Sequence, residues 1–465
     1  MWMNKVLSLT TIFLGTVAGG YESHDIASAL PAFGLPPISN PRLSALQDAQ
    51  YYKQWFVCIT QGVDREPQDV SSVVQEFQEF IESNSRIYML FNSMFEEIPD
   101  DSMASTDMNG YPRVRDYRHM LQVLNKVLSS APLWRDNAPY PILMPIPINT
   151  LLAWVMGTAS GSAAFSDPDV NAMLKKVLNT WGCYMRSPAS LSALGNGPTG
   201  WLSEKAIQNL TKVGNAGITS YTFCQLYDCE PAVPNHGFQS WDDFFTRSFR
   251  KGIRPVASPD DDSVIANPTE STPYAMKRGI KARDNFWLKG QNYSVQDMLG
   301  HDPLAKEFVG GTIYQALLTA LSYHRWHAPV SGRIVKAYTI PGTYSSVPPS
   351  TGGHHTGGTH PNDLMEGYAY ITAMATRAVI LIESDNPDIG LVAFLGIGLA
   401  EVSSCEITVK RGDRVQKGDQ IGMFHYGGST SVLILRGGVD ALGFPEGGND
   451  NIPVGSRLAV VPSKI

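Results

Sequence analysis

The apolar residues of this chain change their spacing partway along it, and that change limits the fold more than any other feature. From about Asp69 to Pro188 they recur at helical intervals. Tyr117, Met120, Leu121, Leu124, Val127 and Leu128 in "VRDYRHMLQVLNKVLSS" fall on one face, as do Val170, Met173, Leu174, Val177, Leu178 and Trp181 farther on. Asp167 followed by Pro168 supplies that second helix with a cap and a first-turn proline. Beyond the turn-rich breaks "LGNGPTGW" and "EPAVPNHG" and a helical patch "SWDDFFTRSFRKGIRP", the pattern becomes one of short β-branched or apolar runs. "RAVILIES", "GLVAFLGIG" and "STSVLIL" are such runs, and "SDNPDIG" between the first two reads as a hairpin turn. The expected fold class is α+β, with a mainly helical N-terminal half and a β-rich C-terminal half that has few helices.

At 465 residues, 43% hydrophobic and 17% charged, the chain can bury a large core and divide into two domains. A net charge of -7 and the lack of a dense Lys/Arg run leave no field for a phosphate backbone, so no nucleic-acid partner is expected. Cys58, Cys183, Cys224, Cys229 and Cys405 are too scattered for a disulfide framework. Cys224 and Cys229 could pair or share a metal, but with no second Cys/His pair adjacent the expectation is buried thiols or one optional disulfide, and no metal. Lys5, the apolar run Val6 to Val17 and the small residues ending at Gly20 have the layout of a secretory signal peptide over 1–20, or of an N-terminal element packed on the domain. The first reading sends the chain to the secretory pathway or outside the cell, where Asn209 and Asn292 would be glycosylation acceptors, and the second leaves it cytoplasmic.

Chemistry concentrates near the C-terminus. "VKRGDRVQKGDQIGMFHYGGST" has tight turns at Gly412-Asp413 and Gly418-Asp419, then a strand that runs into Gly427, Gly428 and Ser429. The turn spacing is that of a biotinyl or lipoyl hairpin, yet "FHYGGSTSV" lacks the lysine such a hairpin modifies. A serine behind two glycines has another use, because glycine tolerates backbone conformations that let the hydroxyl approach the carbonyl of its own preceding peptide bond. Attack there is an N-to-O acyl shift, which needs a base and oxyanion donors. "SYHRWHAPVSG" offers His324 and His327, on opposite faces if the segment is extended and on one face if it is helical. "VIANPTEST" places Glu270 after an Asn-Pro turn as a carboxylate partner for one of them. In "TGGHHTGGTHPND", His354, His355 and His360 suit a mobile loop, a lid or a metal site.

Taken together these segments resemble the phosphatidylserine decarboxylase family of pyruvoyl enzymes. "FFTRSFRKGIRPVASPDD" is similar to the family's Phe-x-Arg-x-x-x-x-x-x-Arg-Pro segment, "LKGQNYSVQDMLG" to "IKG..YSLEELLG", "YHRWHAPVSGRIV" to "DYHRxHxPvdG", "PGTYSSV" to "G..YSVN", and "FHYGGST" to the "LGST" or "FGGST" cleavage site. The helical half resembles the extension of a fungal branch that includes tryptophan decarboxylases. The family's "SPADG" stands here as "NPTES", so Glu270 aligns with its aspartate, one methylene longer.

The resemblance implies a helical domain over 21–195 and a catalytic domain over 196–465, self-cleaved between Gly428 and Ser429. It assigns Ser429 as nucleophile, His327 as base and Glu270 as the carboxylate orienting that imidazole, roles that His324 and His327 could exchange. Ser429 would become a covalent pyruvoyl group, replacing pyridoxal phosphate, whose carbonyl forms a Schiff base with the substrate amine and accepts electrons as CO2 leaves. His324 would then protonate the product or position the substrate. The implied substrate is a free aromatic L-amino acid such as tryptophan, or alternatively phosphatidylserine, with membrane association in that case. A homodimer of cleaved protomers is implied, and a non-catalytic relative is the remaining alternative.

Overall fold

Helices form where the apolar spacing predicts them. The computed structural model describes residues 58–66, 68–98, 114–134, 147–284, 293–344, 368–398, 404–426, 429–445 and 451–463. The signal-like segment, Asn292, the His354–His360 loop, Gly427 and Gly428 lie outside these residues. The main helices are α1 (Ser72–Ser83), α2 (Ser85–Glu96), α3 (Tyr117–Val127), α4 (Pro147–Met156), α5 (Ala159–Phe165), α6 (Pro168–Met185), α7 (Glu204–Asn215), α8 (Phe223–Leu226) and α9 (Trp241–Phe245). Asp167 caps α6, accepting from the amides of Asp169 and Val170, with Pro168 in the first turn. Every stripe residue named above in α3 and α6 is buried. Among the described residues, no helix is long and apolar enough to cross a membrane.

The patch "SWDDFFTRSFRKGIRP" is helical only over α9, which corrects the longer helix expected from its sequence. After Thr246 the chain turns, and the Arg247 guanidinium donates to the carbonyls of Leu321 (2.8 Å) and Ser322 (3.3 Å). Residues 248–250 pair instead with 226–228, through Asp228 N to Ser248 O (2.9 Å) and Arg250 N to Leu226 O (2.8 Å). Long-range pairing has overridden local helix preference.

Strands dominate from residue 264 onward: β1 (Val264–Ala266), β2 (Thr272–Arg278), β3 (Thr312–Leu318), β4 (Arg325–His327), β5 (Gly332–Ile340), β6 (Arg377–Ser384), β7 (Leu391–Gly398), β8 (Ser404–Ile407), β9 (Arg414–Val415), β10 (Gln420–His425), β11 (Ser429–Leu435) and β12 (Arg457–Val460). An antiparallel seven-stranded sheet has the order β2-β3-β11-β7-β6-β5-β9, a three-stranded sheet the order β4-β10-β8, and β1 pairs with β12. The "SDNPDIG" turn joins β6 to β7 as a hairpin.

Alternate residues of the large sheet belong to two apolar layers. Val379, Leu381, Leu395, Val432 and Ile434 share a core with the helices. Ile380, Ile382, Phe394 and Leu433 pack with Trp326, Ile421 and Phe424 of the small sheet. With both faces covered, β7 and the central part of β6 are continuously apolar and do not alternate with polar residues. Trp326 explains two glycines, since a Cβ at Gly396 or Gly422 would come within 2.6 or 2.4 Å of its ring.

Candidate active site

The small sheet decides how the two histidines of "YHRWH" are presented. The segment is extended, so alternate side chains part company: His324 and Trp326 are fully buried, whereas Arg325 and His327 are partly exposed. The His324 ring lies over Phe245 of α9, with centroids 4.0 Å apart. On the other side, the Nδ1 of His327 is 2.7 Å from Gly418 O and its Nε2 is 3.0 Å from Tyr323 Oη. A carbonyl can only accept, so Nδ1 carries the proton and Nε2 receives the tyrosine hydroxyl. Burial favours this neutral form and keeps the His327 pKa below the ordinary imidazole value. It lines a cleft of about 200 Å³ with Tyr323, Arg254, Phe249 and Gly418.

Glu270 is fully buried, but it does not reach His327 in the way expected. Its carboxylate takes Arg254 Nε (2.9 Å) and Nη2 (2.6 Å), and the Val454 amide (2.8 Å) completes its set. Both histidine nitrogens have other partners, so the expected direct His327–Glu270 bond is replaced by a buried Glu270–Arg254 pair. Burial pushes the Glu270 carboxyl up against the opposing pull of Arg254, while the same carboxylate holds the Arg254 guanidinium above its usual pKa. The two-pronged contact and the Val454 amide favour the ion pair. The arginine that Glu270 meets also lines the His327 cleft.

Ser429 begins β11, where it stands opposite Leu318 of β3 and Gly398 of β7. It is 2% exposed, and its Oγ has no hydrogen-bond partner among the described residues. An unpaired buried hydroxyl costs stability, so it is expected where function requires it. The hydroxyls that follow it are engaged: Thr430 Oγ1 donates to Ala316 O (2.9 Å) and accepts from Gln315 Nε2 (3.0 Å), while Ser431 Oγ is 2.7 Å from Thr269 Oγ1. The Thr269–Ser431 bond and one from His327 N to Pro268 O (2.9 Å) bring the "NPTES" turn, β4 and the head of β11 together. The structure does not link Ser429, His327 and Glu270 by direct hydrogen bonds among the described residues, and Ser429 does not line the His327 cleft.

Sequence reasoning missed what holds the residues just upstream. His425 sits between two carboxylates, with Nδ1 3.0 Å from Asp242 Oδ1 of α9 and Nε2 3.0 Å from Glu406 Oε2 of β8. The ring can donate to a carboxylate from each nitrogen only as an imidazolium, the form this arrangement favours. Burial alone would lower its pKa, but Asp242 and then Glu406 raise it above the ordinary value. Tyr426 adopts a left-handed φ of 76°, rare for an aromatic residue. Its hydroxyl donates to Gly182 O (3.2 Å), accepts from Arg186, and its ring lies 5.7 Å from that of Trp181. A Cβ at Gly182 would come within 2.7 Å of that hydroxyl, so the glycine in α6 makes room for it. The paired acids of "SWDDFF" and the histidine of "FHYGGST" were visible signals, but nothing in sequence connects them.

The phosphatidylserine decarboxylase family model matches residues 241–458, and a second model with the same description matches 71–210. Decarboxylase iboD of Amanita muscaria is 42% identical over 323 residues, 68% of this chain and 91% of that protein. The L-tryptophan decarboxylase of Psilocybe cubensis is 35% identical over 373 residues, 78% of this chain and 80% of that protein. Phosphatidylserine decarboxylase proenzyme 3 of Schizosaccharomyces pombe is 31% identical over 217 residues, 46% of this chain and 21% of that protein. The chain thus belongs to the phosphatidylserine decarboxylase family, in its fungal branch, and is a carboxy-lyase.

Proposed function

We propose that the chain cuts its own backbone between Gly428 and Ser429 and then removes the α-carboxylate of a free aromatic L-amino acid such as tryptophan. The observation that carries the first part is the buried Ser429 hydroxyl without a partner among the described residues, at the head of a strand paired on both sides. Its oxygen attacks the Gly428 carbonyl as the C–N bond to Ser429 breaks, giving an ester, and the hydroxyl proton is relayed by way of the Tyr323 hydroxyl that covers His327 Nε2. β-Elimination then frees the Gly428 carboxylate and leaves dehydroalanine, which hydrolyses with loss of ammonia to the pyruvoyl group. Glu270 acts through Arg254, fixing that charge at the His327 cleft, and is a positioning residue.

The family's pyruvoyl group suits position 429, since it is made from that residue and the buried Oγ there meets no hydrogen-bond partner among the described residues. The group supplies an electrophilic carbonyl that takes up the electrons released as CO2 leaves. The pairing of β11 with β3 and β7 holds it in the sheet, and His324, fixed against Phe245, delivers or holds the proton for the product carbon. Residues 21–195 form the helical domain and 196–465 the catalytic domain, and the processed protomers pair as a homodimer.

The choice of substrate rests on relatives. The L-tryptophan decarboxylases are 35% identical over 78% of the chain, whereas the yeast phosphatidylserine enzyme aligns with 46%. Phosphatidylserine is the second reading, favoured by the family models that match both halves. Wild-type protein should migrate as two fragments on a denaturing gel, and Ser429→Ala as one. Offered tryptophan, tyrosine and phosphatidylserine, the processed protein should release CO2 from tryptophan. Release from phosphatidylserine alone would establish the second reading, and an intact wild-type chain that releases none would mark a non-catalytic relative.

A further inference from the structure

A cluster outside the proposed site brings together Cys224 at α8, Cys229 in the following loop and His236 beyond "EPAVP". Their ligand atoms all lie within 4.8 Å of one another. The two sulfurs are 3.0 Å apart, and Cys224 Sγ is 3.9 Å from His236 Nδ1. Zinc bonds near 2.3 Å to sulfur and 2.0 Å to nitrogen put tetrahedral ligands roughly 3.5–3.8 Å apart, so modest movement seats an ion among the three.

The surrounding chain is shaped to hold these side chains in place. Arg250 spans both cysteines, donating from Nε to Cys224 O (2.6 Å) and from Nη2 to Cys229 O (2.6 Å). Asn235 and His236 both adopt left-handed backbone, φ 51° and 54°, which turns the histidine back toward the thiols. Glu230 N donates to His236 O (2.9 Å) and closes that loop. Two successive non-glycine residues in this region persist only where the surroundings enforce it.

We propose that Cys224, Cys229 and His236 bind one zinc-class ion, whose fourth position opens toward the neighbouring cleft of about 410 Å³ lined by Asp228, Glu230 and Asp243. Two thiolates and an imidazole are soft and borderline ligands, which select zinc over magnesium or calcium. Binding displaces the two thiol protons, so the dication and two thiolates form a site of no net charge. The ion ties the loop of residues 224–236 to α9, because Phe223 and Phe238 flank it in sequence and pack on Phe244, at 6.4 and 5.4 Å. α9 carries Phe245 beneath His324 and Asp242 beside His425, so the ion steadies both without touching the reaction.

The test uses the full chain, stripped of metal under reducing conditions and titrated with Zn2+ alone. One equivalent should bind and protect Cys224 and Cys229, but not the exposed Cys58, from alkylation read by peptide mass. Co2+ should give a thiolate charge-transfer band that Zn2+ abolishes. His236→Gln should weaken binding by at least about tenfold, and Cys224→Ser with Cys229→Ser should abolish it, while Cys58→Ser leaves it unchanged. Substoichiometric binding, unprotected cysteines, or a Cys224–Cys229 disulfide in the freshly isolated chain would each overturn the site. Because alkylation and cobalt spectra are read on wild-type protein, a variant that fails to fold does not spoil the test, and none of these readouts depends on self-cleavage.

Discussion

The two flanks of Gly427–Gly428 are held by different forces. Downstream, Ser429–Leu435 pairs along its whole length with β3 on one side and β7 on the other, and its side chains are buried on both faces. Upstream, β10 belongs to the small sheet and is fixed by individual side chains: His425 between two acids, and Tyr426 in a notch of α6. Backbone ladders and apolar burial do not depend on an intact peptide bond at the junction, so the downstream flank can survive a cut as a separate fragment. The upstream anchors set geometry, and their loss should act on rate more than on cohesion.

The largest effect that would break this contrast lies downstream. Leu433→Ala removes a buried side chain and should cost roughly 2–5 kcal/mol in urea unfolding. A loss below about 1 kcal/mol would mean that the ladder alone holds the flank. Upstream, Gly182→Val pushes on Tyr426 and should slow self-cleavage about a hundredfold, followed on gels, with unfolding less affected than in Leu433→Ala. Tyr426→Phe keeps the ring and loses its bonds to Arg186 and Gly182, so its slowing should be smaller. Wild-type rates in both variants would leave α6 with a purely structural role.

Replacing the imidazolium by His425→Gln leaves the buried Asp242 without its charged partner, at about 1–3 kcal/mol. The smallest effects are on pH dependence, and the two histidines have opposite signs. His425 has a raised pKa, so its contribution is complete below the ordinary value near 6.5 and is lost as pH rises through the folded value. His327 has a lowered one, so its contribution is present above the ordinary value and lost as pH falls through the folded one. Self-cleavage should accordingly stay on its plateau down through about pH 6.5 and decline only below it. A decline centred above that value would assign the base to another group.

Much of the architecture was legible because it follows from local periodicity. The stripes of α3 and α6, the Asp167 cap and the β6–β7 hairpin each depend on residues a few positions apart. Serine, histidines and glutamate were legible as types, through ordered motifs. Their partners were not, because Arg254–Glu270 spans 16 residues, His425–Asp242 spans 183 and Tyr426–Gly182 spans 244. The length of α9 departs from its local sequence for the same reason, since residues 248–250 pair with residues 226–228 and do not follow their own helix preference.

Sequence alone settled that helices precede strands and that a hydroxyl follows two glycines near the end of a β-rich region, because the period of apolar residues and the backbone freedom of glycine are local properties. Tertiary structure decided which histidine is neutral, which is charged and which cation meets Glu270. Those outcomes depend on burial and on groups that only folding brings within hydrogen-bond distance.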